Sequence, residues 1–271
     1  VDFFEVILPY EPGWIFINWL FKKIGFFSLI IFTSLINCLL YYYLIKKFLP
    51  VKLYWLAVFI YFFLPNFMLL HSSAMRQSIA IIIFIYSWNF LLNKKPIKYF
   101  ICIAVAITFH FSAVILIPCY IIVFLIDKKI NFYWGVLIYS FYLSLFLFQT
   151  FWSSLIFDSI GNFNEKYLYY QNSATTNSGL GFLYFSVLFI LTLYFEKKQT
   201  RDIQFIFKNS IVSFLIIPLA LIIDMTGRLG MYFSPALIIV LPSIFKSLRN
   251  HNIKFIYISI IICITLFQFF Q

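Results

Sequence analysis

Long apolar runs recur along the whole chain and constrain its fold more than any other feature of the sequence. Residues 99–126 and 132–150 form two such runs, and a helix needs roughly 20 apolar residues to cross a bilayer. Hydrophobic residues make up 63% and charged residues 11% of the 271 positions, which leaves too little polar surface to cover a soluble globule. The sequence therefore predicts an all-α, polytopic integral membrane protein with a single transmembrane domain over residues 1–271.

Charged residues punctuate these runs and divide the chain into about eight or nine candidate transmembrane helices. The candidate segments are 26–45, 53–70, 78–92, 99–126, 132–150, 179–195, 204–223, 230–245 and 255–270. Ahead of them, Glu11 and Pro12 resemble a helix start with proline in the first turn. The helix that follows, residues 14–23, is too short to span the bilayer, so we expect it to lie along the interface.

The distribution of Lys and Arg predicts the topology, because these residues collect in cytoplasmic loops. If segment 99–126 crosses the membrane once, counting from a cytoplasmic 46–52 loop leaves 8 cations inside and 12 outside, against this rule. If the segment turns back near residues 109–112, 15 of the 20 cations lie inside. We therefore predict a re-entrant hairpin at His110, with its turn buried in protein or facing a water-filled cavity.

This topology sends a small polar group of residues to the outer side of the membrane. The outer segments are 71–77, the loop 151–178 and the loop 224–228. The outer cations are Lys22, Lys23, Arg76, Lys166 and Arg228. Function is therefore expected on that side.

Each polar candidate has a functional and a structural interpretation. An arginine at membrane depth costs about 2.5–3.5 kcal/mol on insertion scales. Arg76 is therefore either retained to bind a partner or ligand, or it avoids this cost by extending from a helix end to the interface. His110 could act as a general base or form a local hydrogen-bonded hinge. Arg228 could bind an anionic headgroup or pair with Asp224. Glu11 could take part in the chemistry or serve only as an N-terminal cap.

Several classes of chemistry have no visible site in the sequence. It contains no Gly-rich phosphate loop, no Asp-x-Asp pair and no zinc-type histidine cluster, so we expect neither a cofactor nor a metal. The cations are scattered between spans rather than gathered on one basic face, so we expect no nucleic-acid partner.

Four short patches, spread from residue 11 to residue 233, resemble the EpsG family of polysaccharide polymerases, which is related in role to the Wzy O-antigen and capsule polymerases. The patches are Glu11-Pro12-Gly13-Trp14, Met75-Arg76-Gln77-Ser78-Ile79-Ala80, Phe109-His110-Phe111-Ser112-Ala113, and Gly227-Arg228 with Tyr232-Phe233. Family members usually carry an additional first span and an Arg-containing segment with an Asp-Tyr pair. Because these are missing, we expect a chain shortened at its N-terminus, with loss of activity as an open alternative.

The resemblance implies transfer of a growing glycan from undecaprenyl diphosphate to a sugar hydroxyl of another lipid-linked repeat unit. The reaction would take place at the outer face of the bacterial cytoplasmic membrane. In this interpretation Arg76 and Arg228 bind the diphosphate, and His110 or Glu11 accepts the proton. Further substrate-binding residues are expected at Gln77, His71, Tyr232 and Asp224.

The expected partners are the lipid-linked oligosaccharide, membrane lipid, and flippase and chain-length regulator proteins. Two other function classes stay open at this point. A transporter or flippase of lipid-linked oligosaccharide also needs many spans and cations in a cavity. A non-catalytic partner in envelope assembly is the other alternative.

Overall fold

The regular secondary structure is helical throughout the part of the chain that the computed structural model describes, and it contains no strand there. The structure describes residues 11–64, 67, 74–121, 128–161, 179–222 and 224–269. They fall into two compact units, one comprising residues up to Asp127 with Leu241–Gln271, the other Lys128–Val240. The all-α prediction is confirmed, and the single transmembrane domain stays a prediction.

The α-helices are numbered in chain order. They are α1 Pro12–Phe21, α2 Phe26–Phe48, α3 Tyr54–Phe63, α4 Met75–Leu92, α5 Pro96–Phe109, α6 Phe132–Leu147, α7 Gln149–Gly161, α8 Gly179–Glu196, α9 Arg201–Ile222, α10 Asp224–Gly230, α11 Leu237–Ser247 and α12 His251–Phe269. Short 3₁₀ helices lie at Val51–Leu53, Phe111–Leu116, Pro118–Ile121 and Ser234–Ala236.

Within the first unit, α4 and α5 form the most extensive helix pair, and α1 packs on both α5 and α2. Helix α2 also contacts α4, and α12 contacts α3. The core between these helices contains large apolar side chains such as Phe84 and Trp88, which are at most 1% exposed. The bundle therefore holds the start of α1 beside the end of α5.

Helix α1 has the character predicted for an interfacial helix. Its 10 residues are about half the number that a spanning helix needs. Phe16, Trp19 and Leu20 are 51–62% exposed, so the helix presents apolar surface away from the bundle.

In the second unit, α9 packs against α8, α10, α6 and α7. Asn131 caps the start of helix α6, because its side-chain oxygen accepts a 2.9 Å hydrogen bond from the Trp134 amide. Pro218 lies inside α9. Helices α6 and α7 meet at an angle of 90°.

The chain reverses direction at His110. Helix α5 ends at Phe109, and His110 adopts an extended conformation with φ −155° and ψ 117°. The hydroxyl of Tyr99, near the start of α5, donates a hydrogen bond to the carbonyl of Leu116. The Tyr99 and Tyr120 rings lie 5.7 Å apart between centroids. A straight helix would place residues 99 and 116 about 25 Å apart, so the segment after His110 returns along α5, as the charge count predicts.

Two predicted loops are helical instead. Helix α7 occupies the start of the predicted 151–178 loop, because the apolar run continues beyond Gln149 through Phe151 and Trp152; residues 162–178 lie outside the described residues. The predicted 224–228 loop lies within α10. Gly227 disfavours a helix intrinsically, but extensive packing against α9 stabilises one.

Three described helical segments are long and apolar enough to cross a membrane, namely Phe26–Phe48, Met75–Leu92 and Arg201–Ala220. The bent pair α6 and α7 would make a fourth if it counts as one span. The remaining apolar helical segments in the described residues are 10–17 residues long. The count of eight or nine spans therefore stays a prediction, while the multi-pass helical character is supported.

Replacing Tyr99 by Phe should destabilise the hairpin. Both Tyr99 and Leu116 are fully buried, so the variant leaves a buried carbonyl without this donor, at a cost of about 1 kcal/mol. Thermal unfolding in detergent should show a midpoint lowered by roughly 2–4 °C. Tyr133→Phe is the matched control, because Tyr133 is 81% exposed. Equal midpoints for the two variants would contradict the role of this hydrogen bond.

Candidate functional site

Glu11 lies at the centre of a polar cluster in the first unit. It precedes α1, and its backbone carbonyl accepts hydrogen bonds from the amides of Trp14 and Ile15 at 3.0 and 3.1 Å. Its side chain makes no capping hydrogen bond. Instead, Oε2 accepts a 2.7 Å hydrogen bond from Arg76 Nη1, and Oε1 lies 3.3 Å from His110 Nδ1. The interpretation of Glu11 as only a helix cap is therefore wrong.

Arg76 reaches this carboxylate from the first turn of α4. A cation in that position faces the positive end of the helix dipole, which is unfavourable, and the Glu11 carboxylate offsets this cost. The Arg76 side chain is 41% exposed, against 18% for Glu11. The guanidinium therefore donates a hydrogen bond to Glu11 on one side, and its other side is accessible to a ligand.

His110 reaches the cluster from the point where the chain reverses. Its amide donates to the Ala106 carbonyl at 3.0 Å, and its carbonyl accepts from the Ala113 amide at 3.0 Å. Both sides of its backbone are therefore held, which fixes the direction of an imidazole that is 20% exposed. His110 is therefore both the hydrogen-bonded hinge at which the chain reverses and the residue that contacts Glu11.

The close approach of α1 to α5 brings Glu11 within reach of His110. A Cβ atom built on Gly13 would lie 2.5 Å from Thr108 Oγ1 and 3.0 Å from the Thr108 carbonyl oxygen. No larger residue fits there without moving one of the two helices. Gly13 thus determines how near the start of α1 comes to the end of α5.

Electrostatics keeps the Glu11 carboxylate ionised. Partial burial by itself would raise its pKa, but a hydrogen bond from its own backbone amide, the hydrogen bond and charge of Arg76 and the charge of His110 outweigh burial. The net effect lowers the pKa of Glu11 below its ordinary value of 4.5. At neutral pH the cluster therefore contains a carboxylate between a guanidinium and an imidazole.

The structure brings Glu11, Arg76 and His110 together, and the other predicted site residues have different surroundings. Gln77 follows Arg76 on α4 and is 2% exposed, so substrate contact would require its neighbours to move. His71 lies outside the described residues. Three further candidates belong to the second unit. These are Asp224 on α10, whose side chain lies outside the described residues, Arg228 on the same helix, which is exposed, and Tyr232, which is fully buried.

Sequence reasoning missed Thr108 and the structural role of Gly13. The Gly13 position was visible within the patch around Pro12, but its close contact is with a residue 95 positions away. Nothing in the local sequence indicates such an approach.

Lys208, which the charge count assigns to the cytoplasmic side, is buried in the second unit. Its side chain is only 9% exposed and lies 3.4 Å from a fully buried Glu196 carboxylate. The two charges compensate each other inside the second unit, where an isolated charge would be costly.

The long apolar helices Phe26–Phe48, Met75–Leu92 and Arg201–Ala220, together with several shorter apolar helices, are those of a multi-pass helical membrane protein. The family model described as the EpsG family matches residues 2–271, and the chain belongs to the EpsG family. Membership supports a polysaccharide-polymerase-like role with glycosyltransferase-like chemistry. No curated protein and no solved structure matches the chain.

Replacing Gly13 by Ala should separate α1 from α5 and weaken the cluster. The added Cβ overlaps both the side chain and the backbone of Thr108, and overpacking of this kind costs about 1–3 kcal/mol. Thermal unfolding should show a lowered midpoint. Gly135→Ala is the control, because its nearest neighbour, Ile130 Cγ2, lies 3.9 Å away. A Gly13→Ala protein as stable as the control would show that α1 moves freely.

Acidification should remove the stabilisation that Glu11 provides. Because its folded-state pKa is lowered, the contribution is present above the ordinary value of 4.5 and is lost as pH falls through the folded-state pKa. Between about pH 6 and pH 3, the unfolding midpoint of the wild type should therefore fall further than that of Glu11→Gln. The control is Asp202→Asn, which removes an exposed acid in the first turn of α9. Its unfolding midpoint should change with pH as that of the wild type does. Parallel curves for the wild type and Glu11→Gln would contradict the assignment.

Proposed function

We propose that this protein is a membrane polysaccharide polymerase that joins undecaprenyl-diphosphate-linked repeat units. It would act at the outer face of the bacterial cytoplasmic membrane, in exopolysaccharide, capsule or O-antigen biosynthesis. The family supports the polymerase class. The observation that carries the specific proposal is the Glu11 carboxylate held between Arg76 and His110.

The proposed step forms one bond and breaks another. A hydroxyl oxygen of the acceptor sugar attacks C1 of the sugar at the reducing end of the donor glycan. The bond from C1 to the diphosphate oxygen breaks, and undecaprenyl diphosphate leaves with the electron pair. The hydroxyl proton passes to a base in the protein.

The geometry favours His110 over Glu11 as that base. Glu11 faces Nδ1 of His110, so Nε2 is the nitrogen that would take the proton. The carboxylate then stabilises the imidazolium that forms, as the acid of a catalytic triad stabilises its histidine. With its pKa lowered, Glu11 is itself the weaker base.

Arg76 is suited to binding the diphosphate leaving group. Its guanidinium presents donors in a planar fork that matches phosphate oxygens, and part of it remains accessible beyond the hydrogen bond to Glu11. When His110 takes a proton, Arg76, Glu11 and His110 together carry one net positive charge. That charge favours the departing diphosphate, so proton uptake and leaving-group stabilisation occur in one cluster.

The proposed side of action rests on charge distribution and on the hairpin. The reversal at His110 supports the topology in which 15 of the 20 cations are cytoplasmic. In that topology Arg76 lies on the outer side, and the hairpin, which starts and ends on the cytoplasmic side, points its His110 turn toward it. Arg228, on α10 of the second unit, remains a predicted second phosphate ligand.

The test uses purified protein in liposomes with lipid-linked repeat units on one side, and it measures the glycan length of the products. His110→Ala should lower the polymerisation rate by about 10²–10⁴-fold, the usual contribution of a general base. Glu11→Gln should lower it less and change the pH dependence. Arg76→Ala should reduce the rate more than Arg76→Lys, which keeps the charge without the fork. Arg228→Ala is assayed alongside.

Matched controls come from two exposed residues, His251 at the start of α12 and Arg249 just before that helix. His251→Ala and Arg249→Ala remove the same types of side chain at exposed positions and should leave chain length unchanged. Normal polymer from the His110, Glu11 and Arg76 variants would refute the assignment. Relocation of unmodified lipid by the wild type would instead support a flippase, and neither product nor relocation would support a non-catalytic partner.

A further inference from the structure

An apolar groove with a basic end lies between α6 and α8 in the second unit. It encloses a cavity of about 360 Å³, within the size range of sites for small molecules. The walls come from the first turns of α6, including Phe132 and Val136, and from the last turns of α8, including Ile190 and Tyr194; Lys197 lies at its end. Val136, Ile190 and Tyr194 are 46–51% exposed, so the groove is open to the surroundings.

Two hydrogen bonds bring further cations to the same end of the groove. The Ile130 amide donates to Glu196 Oε2 at 3.2 Å, and Lys208 Nζ donates to the Lys128 carbonyl at 2.7 Å. The segment before α6 is therefore fixed against the end of α8. This places the exposed residues Lys128 and Lys129 near the residues that follow Glu196.

Among the residues that the structure describes, the acid that contacts this region, Glu196, does not cancel their charge. Glu196 is fully buried and lies 3.4 Å from Lys208 Nζ, so these two charges offset each other within the protein. Lys198 lies 4.0 Å above the Tyr194 ring, at the edge of the groove. The exposed end of the groove therefore carries an excess of positive charge. Its cations are Lys128, Lys129, Lys197 and Lys198.

We propose that this groove binds an anionic phospholipid. One acyl chain lies between α6 and α8, and the phosphate lies beside Lys197. Apolar walls match a hydrocarbon chain, and clustered lysines at the end of a span attract acidic headgroups by about 1 kcal/mol each, or roughly fivefold in affinity. Neither feature is part of the Glu11 cluster, so lipid binding here can be tested apart from polymerisation; only the choice of a phospholipid over a polyprenyl lipid rests on the proposed function.

The chemistry of the site favours a phospholipid over the polyprenyl substrate. All four lysines belong to the set that the charge count assigns to the cytoplasmic side. A lipid-linked glycan that is polymerised outside presents its diphosphate at the other face. An anionic phospholipid of the inner leaflet presents its phosphate at the level of these lysines.

The experiment measures lipid retention by native mass spectrometry of the full chain. Purified protein is incubated with an equimolar mixture of phosphatidylglycerol and phosphatidylcholine with identical acyl chains, and the retained lipids are counted. The wild type should retain phosphatidylglycerol in preference. Lys197→Gln should reduce that preference about fivefold, and Lys197→Arg should preserve it.

A second variant tests the groove independently of charge. A Cβ on Gly135 has its nearest neighbour, Ile130 Cγ2, at 3.9 Å, and Gly135 lines the cavity, so the side chain of Gly135→Leu would project into it and obstruct an acyl chain. This variant should retain less of both lipids while keeping all four lysines. Lys52→Gln removes an exposed lysine of the first unit that does not line the groove and is expected to behave as the wild type.

Three results would overturn the proposal. Equal retention of the two lipids by the wild type would mean that the groove holds bulk lipid only. Unchanged retention in both Gly135→Leu and Lys197→Gln would place the bound lipid elsewhere. Undecaprenyl phosphate could also compete with phosphatidylglycerol for the groove. If it displaced phosphatidylglycerol even when present at the lower concentration of the two, the groove would be assigned to the polyprenyl chain.

Discussion

The arrangement of the first unit depends on one carboxylate. Glu11 joins α1 to α4 through Arg76 and to the turn of the hairpin through His110. The chain has 9 acidic residues against 20 basic ones, so a carboxylate is a scarce partner here. Removing Glu11 would break both contacts, so this carboxylate helps to hold the three elements in place relative to one another.

Each unit contains an acid held by cations, but their surroundings suit different purposes. Glu11 is partly exposed, and its partner Arg76 is more so. A ligand can therefore compete for the guanidinium, and protons can move between the imidazole and its surroundings. Glu196 is fully buried with Lys208 and receives a backbone amide as well. The first arrangement is suited to chemistry, and the second is suited to holding helices in place.

Much of the site could be predicted from the sequence, because polar residues are conspicuous among apolar runs. Arg76, His110 and Glu11 were selected on that basis. The reversal at His110 followed from the distribution of lysine and arginine, a property of the whole chain that does not depend on local propensity. The approach of Gly13 to Thr108 could not be predicted, because it depends on tertiary packing. Helix α7 was missed because Gln149 and Thr150 resemble the end of a span although the apolar pattern continues.

The buried contact around Glu196 also bears on how the protein is made. Its carboxylate binds the amide of Ile130, which is synthesised 66 residues earlier, and its partner Lys208 binds the carbonyl of Lys128, 80 residues earlier. Helix α6 therefore emerges from the ribosome well before the side chains that fix its start. The contacts that fix its start cannot form until α8 and α9 have been synthesised, so the second unit closes only after most of its helices exist.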